Sequence, residues 1–288
     1  MHRRSPHCTS DRSRENLQHL SILRKPGRVS PTWPRRVRVS ENLAVVDRRA
    51  MATGVAYATI RYCDRLGNER VAQWGEVAPD ELANAMPVRV PPTFAGQRNY
   101  PGLFWSVRSQ RHLVYESLLE LSHLWLLDFA STTAAIATQP FQLTVGDSSH
   151  VPDLLVLDAV GGVEVVDVKP AAFRFHPRFR SQVEVSERLC AMVGWRYRVA
   201  TEPDPVLVRN VQFLAVGRRP IAEGIGIDDD DVVAVAAGYS LGHVLERLRT
   251  EVAPEGAFAL LAGLMWRGVL TADLTRPLTR DTVLEGGS

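Results

Sequence analysis

At 288 residues with 45% hydrophobic side chains, the chain can bury a sizeable core, as one large domain or two ordinary ones. A formal net charge of +2 gives no global field of the kind a general nucleic-acid binder carries, and no apolar run approaches the roughly eighteen residues of a membrane span. Three scattered cysteines, Cys8, Cys63 and Cys190, form neither a disulfide framework nor a zinc-ligand spacing, and the N-terminus lacks a signal-peptide apolar region, so the expectation is a soluble, cytoplasmic protein without a membrane partner.

Residues 1–50 hold most of the positive excess. Arg3-Arg4, Arg35-Arg36, prolines and serines without apolar periodicity predict a disordered cationic segment. Two readings of it stand level: a nonspecific phosphate contact, or no functional element at all, with Met51 as the true start. From Val55 to Arg61 and Val71 to Trp74, two β-like runs flank the turn cluster Asp64 to Asn68 and predict a small hairpin. Pro87, Pro91, Pro92 and Pro101 then break up a loop-rich approach to a helix expected from Arg111 to Ala130, where Leu113, Leu118, Leu121, Leu124, Trp125 and Leu127 recur at helical spacing. Glu116 and Glu120 would share one side of that helix. An exposed pair is the ordinary outcome, but Tyr115, Leu119 and Trp125 nearby argue that at least one carboxylate is partly buried, and such carboxylates want a partner or a metal.

Ile136 and Phe141 to Val145 read as strand, followed by the runs Leu154 to Leu157 and Val163 to Val168, joined by Gly161-Gly162 as a tight hairpin. Phe173 to Arg180 interleaves phenylalanines with Arg174, Arg178 and Arg180. It could touch phosphates, or it could be one more strand or loop with its apolar side packed. A helix from Arg180 to Val193 carries Glu184, Glu187 and Arg188 and is closed by Gly194, and Trp195 to Ala200 follows as strand. Helix, strands, helix and strand give an α/β core over residues 51–200. A proline-rich acidic boundary at Thr201 to Pro205 opens a smaller C-terminal domain, residues 201–288. There Val206 to Val216 reads as β, Asp228 to Asp231 as a solvated run or helix N-cap, and Ser240 to Val252 and Phe258 to Leu270 as helices of a small, winged-helix-like module.

The chemistry concentrates in the hairpin. Alternation points Asp167 and Lys169 to one face and Val166 and Val168 to the other, so one face is chemical and the other core. Asp153, opening the first strand after Pro152, is free to lie across from Asp167, with the register left open. Paired carboxylates repel unless a cation lies between them, and hard oxygen ligands suit Mg²⁺ or Mn²⁺ rather than zinc. Such a cation activates water or stabilises charge on a phosphate, and a neighbouring lysine orients the water or neutralises developing charge. Taken alone, so short a pattern is more simply a turn cap, an edge-strand charge and a solvated lysine. Composition shifts that balance: Lys25 and Lys169 are the two lysines among 34 Lys and Arg residues, and a lysine kept in an arginine-rich chain marks a place where a point-charge amine is needed.

Tyr115-Glu116-Ser117-Leu118-Leu119-Glu120, Gln139-Pro140-Phe141, Pro152-Asp153, Asp167-Val168-Lys169-Pro170, Glu187-Arg188 and Gly194-Trp195, in that order and spacing, resemble the TnsA-type endonuclease subunit of heteromeric cut-and-paste transposases. The resemblance covers residues 90 to 200 and, more loosely, Leu261 to Leu278. It implies a restriction-endonuclease-like fold of the PD-(D/E)XK superfamily, a mixed sheet flanked by helices, with a site of Glu120, Asp153, Asp167 and Lys169. Glu120, Asp153 and Asp167 would be the Mg²⁺ or Mn²⁺ ligands. Glu116 competes with Glu120, and Glu187 is a further accessory candidate. The implied activity is cleavage of the non-transferred strand at transposon ends, with a DDE transposase and an AAA-type ATPase as partners. Some relatives carry glutamine where this chain has Asp167. The long basic N-terminus departs from the family pattern, which offers no role for it.

Overall fold

A computed structural model describes residues 58–89, 100–218, 229–249 and 254–287, all within the unit Asp47–Ser288. The expected basic segment 1–50, and the choice between Met1 and Met51, lie outside them. Strands β1 (Ala58–Cys63) and β2 (Glu69–Gln73) pair antiparallel as the turn cluster predicts. Asp64 closes the turn by accepting from the backbone N–H groups of Leu66 and Asn68, both at 2.9 Å, with Gly67 in the left-handed region at φ 86°. A short helix, α1 (Pro79–Ala83), follows.

The helix expected from Arg111 starts later. Strands β3 (Gly102–Ser106) and β4 (Arg111–Tyr115) form a hairpin, and α2 runs Leu118–Phe129. Two local causes outweigh the helical spacing. In β4, Leu113 is buried opposite Phe104 while His112 is exposed, a two-residue alternation. Ser117, extended at φ −147°, is the N-cap, its Oγ accepting from Glu120 N at 3.2 Å. Ser117 and Glu120 have the spacing of a capping box, a signal present in the sequence. Glu116 therefore precedes the cap and does not share a helix face with Glu120.

Next come β5 (Thr133–Thr138), β6 (Gln142–Val145), β7 (Ser148–His150), β8 (Leu154–Asp158), β9 (Val163–Val168), a 3-10 turn at Ala171–Phe175, α3 (Pro177–Met192) and β10 (Arg196–Ala200). They form two four-stranded sheets, ordered β2-β1-β6-β7 and β10-β9-β8-β5. The β8–β9 hairpin has the expected turn: Gly161 takes φ 87° and Asp158 Oδ1 accepts from Gly162 N at 2.6 Å. β9 and β10 are parallel, which requires a crossover, and α3 supplies it.

The second sheet is covered on both faces, so the expectation of one chemical and one core face is corrected. Val163 and Val165, on the same face as Asp167, pack with Leu155, Leu157, Leu189, Cys190 and β1. Leu154, Val156, Val166 and Val168 pack on the other face against Leu124 of α2, Phe104 and Leu113. Double coverage explains the unbroken apolar run Leu154 to Leu157. Only the sheet end is left for chemistry.

In the C-terminal part, Val206 to Val216 is helix rather than strand: α4 (Pro205–Phe213), then a 3-10 turn at Leu214–Arg218. Asp204 decides this by accepting from Val206 N at 2.7 Å, with Pro205 in the first helical position, and start signals of that strength outweigh the β preference of the valines. The acidic run opens α5 (Asp229–Ala236), where negative charge suits a helix N-terminus. Helices α6 (Leu241–Leu248) and α7 (Pro254–Arg267) and the short pair β11 (Leu270–Thr271) and β12 (Glu285–Gly286) complete it. Its core of Val244, Leu261, Leu264, Leu270 and Leu284 also takes in Trp125, Leu126 and Phe129 of α2. The protein is thus mixed α/β, with several sheets and seven α-helices among the described residues, none of them long and apolar enough to cross a membrane.

Candidate active site

Where α2 starts, β8 starts and β9 ends, three carboxylates are buried: Glu120 is 6% exposed, Asp153 2% and Asp167 0%. Each is there for a local reason. The cap at Ser117 turns Glu120 inward in the first turn of α2. Asp153, after Pro152, immediately precedes β8, and Asp167 sits one residue before the end of β9. The last paired residues of the hairpin are Leu154 and Val166, so one further step of the register sets Asp153 opposite Asp167, the juxtaposition left open in the sequence.

Asp153 Oδ2 accepts from Val168 N at 2.7 Å and from Lys169 Nζ at 2.9 Å, and Lys169 also donates to the Val168 carbonyl at 3.1 Å. Burial pulls the Lys169 amine down, but the charge of Asp153, their hydrogen bond and the charges of Asp167 and Glu120 outweigh it, so its pKa is raised and it stays protonated. Asp167 has its own partners: His150 Nε2 at 2.9 Å from Oδ1, and Tyr197 Oη at 2.5 Å and Gln182 Nε2 at 3.1 Å from Oδ2. Burial opposes its ionisation, yet the His150 contact and the Tyr197 bond hold its pKa below the usual carboxylate value. Burial, and then the Asp167 charge, push the Tyr197 phenol up, so Tyr197 is a donor only.

Glu120 accepts from Glu116 N and from Ser117 Oγ, both at 2.9 Å. Burial nevertheless raises its pKa to about 7, and the Asp153 charge adds to the rise. Glu116 is bound by Arg89 at 2.8 and 3.2 Å, and the Arg89 guanidinium also comes within 3.9 Å of Asp153. The structure thus gathers Glu120, Asp153 and Lys169, with Asp167 adjacent but engaged elsewhere. Glu187 is exposed on α3 next to the buried Ser186 and is not brought to this centre. Arg178 and Arg180 are exposed at the start of α3, and Arg174 lies in the preceding 3-10 turn. Phe173 and Phe175 are exposed too, so that segment is not the packed strand that was one of its two expected forms. Arg89, His150, Gln182 and Tyr197 are site residues that sequence reasoning does not reach. Only the strand parity of Tyr197, two residues from Val199, which pairs with Asp167, could have pointed to any of them.

Three buried carboxylates around one amine leave an excess of negative charge, which adds to the rise that burial causes in the Glu120 pKa. A divalent cation relieves such an excess, and the donors are all oxygen, as Mg²⁺ or Mn²⁺ prefers. In donor chemistry the residues fit. In their present rotamers, no three His, Cys, Asp or Glu side chains among the described residues are grouped to hold a metal ion.

The Glu120 shift has a testable sign. A carboxyl whose folded pKa lies above its unfolded value contributes fully below the unfolded value, and that contribution is lost as pH rises through the folded one. Between its ordinary value of 4.5 and about 7 the fold should lose about 3 kcal/mol from this group. Glu120→Gln should therefore gain stability relative to wild type between pH 5 and pH 8, measured by urea unfolding in EDTA. A pH-independent difference between the two proteins would mean that Glu120 ionises in the folded chain as it does in the unfolded one.

Comparison with protein-family models gives no match to this chain, and comparison with curated proteins gives none either.

Proposed function

We propose that this chain is a divalent-metal-dependent DNA endonuclease subunit of a heteromeric cut-and-paste transposase, cleaving the non-transferred strand at transposon ends. The observation that carries the reading is the cluster of buried Glu120 and Asp153 with the partly exposed Lys169 on Asp153, and Asp167 opposite Asp153, at the end of a doubly covered sheet. The order of elements supports it: α2, the antiparallel strands β5, β8 and β9, the crossover α3 and the parallel β10 are compatible with a restriction-endonuclease-like core. Helices α5, α6 and α7 with the short β11–β12 pair are compatible with a winged-helix-like module.

Glu120 and Asp153, joined by Asp167 after a change of rotamer, would hold Mg²⁺ or Mn²⁺. That ion would lower the pKa of a bound water and stabilise charge on the phosphate. The chain's own residues do the rest. Lys169, kept protonated by the surrounding carboxylates, cannot act as a base; it serves as a fixed positive donor toward a phosphodiester oxygen or the attacking water. Asp153 holds Lys169 in place and is itself fixed by Val168 N, which keeps the amine and the carboxylate in one geometry. Exposed Arg178 and Arg180 are available for phosphates.

The engagement of Asp167 by His150, Gln182 and Tyr197 favours a second reading, a catalytically idle DNA-binding adaptor. A stand-alone restriction or repair nuclease would share the fold and site. One assay separates the three: Mg²⁺-dependent nicking of transposon-end and scrambled duplexes, with and without the cognate transposase and ATPase. With a charge near neutrality and no sequence-reading motif, the chain is expected to show end-specific nicking only when the transposase is added. Strong end preference by the isolated protein would point to the stand-alone nuclease, and no cleavage in any arm to the adaptor.

A further inference from the structure

At the end of β5 two buried side chains are unsatisfied among the described residues: the Thr138 hydroxyl, and the whole carboxamide of Gln139. Gln139 is 0% exposed, and neither its Oε1 nor its Nε2 has a hydrogen-bond partner among the described residues. Buried amides are nearly always paired, because each orphaned group retains the full cost of leaving water. Gln139 is also one of only two non-glycine residues with positive φ among the described residues, at 42°, directly before Pro140. This bend carries the chain out of β5 in one sheet and into β6 in the other. A bend alone would be better served by glycine or asparagine, which accept that conformation at lower cost. The position therefore keeps a long amide despite two separate penalties.

Its location suggests the reason. Gln139 N donates to the Asp153 carbonyl at 3.0 Å, and the Gln139 carbonyl accepts from Val88 N at 2.9 Å, which fixes the residue between Asp153 and the segment leading to Arg89. Continued outward by that bond, the register forms a row of Gln139, Asp153 and Asp167 across the sheet end. An amide with a free acceptor and a free donor at the end of that row has the chemistry of a partner to metal-bound water, accepting through Oε1 and donating through Nε2.

We infer that Gln139 is a further functional residue of this site, positioning through its carboxamide the water shell of a divalent cation held beside Asp153. The inference rests on the nuclease reading and deepens it. The test is thermal melting of the full chain, wild type, Gln139→Met and Gln139→Gly, in EDTA and across an Mg²⁺ titration, with nicking measured alongside. Methionine keeps the volume and removes both orphaned groups, so Q139M should melt above wild type in EDTA. Glycine keeps the bend and relieves its strain. Both variants should need about ten- to a hundredfold more Mg²⁺ to reach the wild-type rise in melting temperature, the loss expected when a partner behind the metal ligands is removed, and nicking should fall in parallel. An unchanged Mg²⁺ response in either variant, or a Q139M that melts below wild type in EDTA, overturns the inference while leaving the nuclease reading intact. A wild type with no Mg²⁺ response and no cleavage removes both.

Discussion

Asp153→Asn and Lys169→Met should each lower Mg²⁺-dependent cleavage by about a hundredfold or more while the protein remains folded. Asp153 is both a candidate ligand and the acceptor that fixes Lys169 Nζ at 2.9 Å, so one substitution removes a charge and loosens the amine. Asparagine is preferable to alanine because its side-chain oxygen can still accept from Val168 N, which keeps the end of β9 in place. Lys169→Arg should fail as well, since a planar guanidinium cannot replace a point charge packed against Asp153 and the Val168 carbonyl. Cleavage is read on transposon-end duplex with all partners present, and folding by circular dichroism and melting temperature. Wild-type rates from either folded variant would take the catalytic role away from this cluster and leave it a structural ion pair.

The hairpin that carries this cluster is legible in the sequence because its determinants are local. Two apolar runs and a Gly-Gly turn predict the hairpin itself, while the register that brings Asp153 to Asp167 is given by the strand pairing in the structure. Sequence reasoning fails where short-range signals compete. Leucine spacing from Leu113 to Leu127 suits one long helix, yet Ser117 and Glu120 start it later, and the same cap turns Glu120 toward the site. Valines from Val206 suggest a strand until Asp204 and Pro205 are weighed as a helix start. The partners of Asp167 are beyond sequence reasoning for another reason. His150, Gln182 and Tyr197 come from a short strand in the other sheet, from the crossover helix and from the parallel strand, and only long-range topology brings them together. The double coverage of the sheet is likewise tertiary: nothing in the β8 run says which neighbours arrive on each side.

Asp128→Ala should be strongly destabilising, by about 3–5 kcal/mol, because it strands a largely buried cation whose side chain is 13% exposed. Asp128 is 0% exposed. It accepts from Ser106 Oγ at 2.7 Å and Arg108 N at 3.1 Å and pairs with Arg218 at 3.1 Å. The Arg218 guanidinium lies over the rings of Phe104, Trp125 and Trp266, at 4.7, 4.8 and 5.5 Å from their centroids, and also donates to the Trp105 carbonyl. Burial lowers the pKa of Arg218, and the Asp128 charge opposes that loss, so without Asp128 a guanidinium stays charged in an aromatic box with nothing to balance it. The double substitution Asp128→Asn with Arg218→Met removes both charges and should recover much of the loss, as replacement of a buried pair by apolar volume often does. Urea unfolding of the three proteins measures this, and a loss near 1 kcal/mol or less for D128A would mean that water already reaches the pair. The same curves bear on how independent residues 201–288 are. The box is built from β3, α2, the 3-10 turn at Leu214–Arg218 and α7, so its loss weakens the four-stranded sheet that α2 covers and the C-terminal helices together. One cooperative transition in D128A means the two fold as a unit, whereas an early transition confined to the C-terminal helices means that the Asp128–Arg218 pair was what tied them to the sheet.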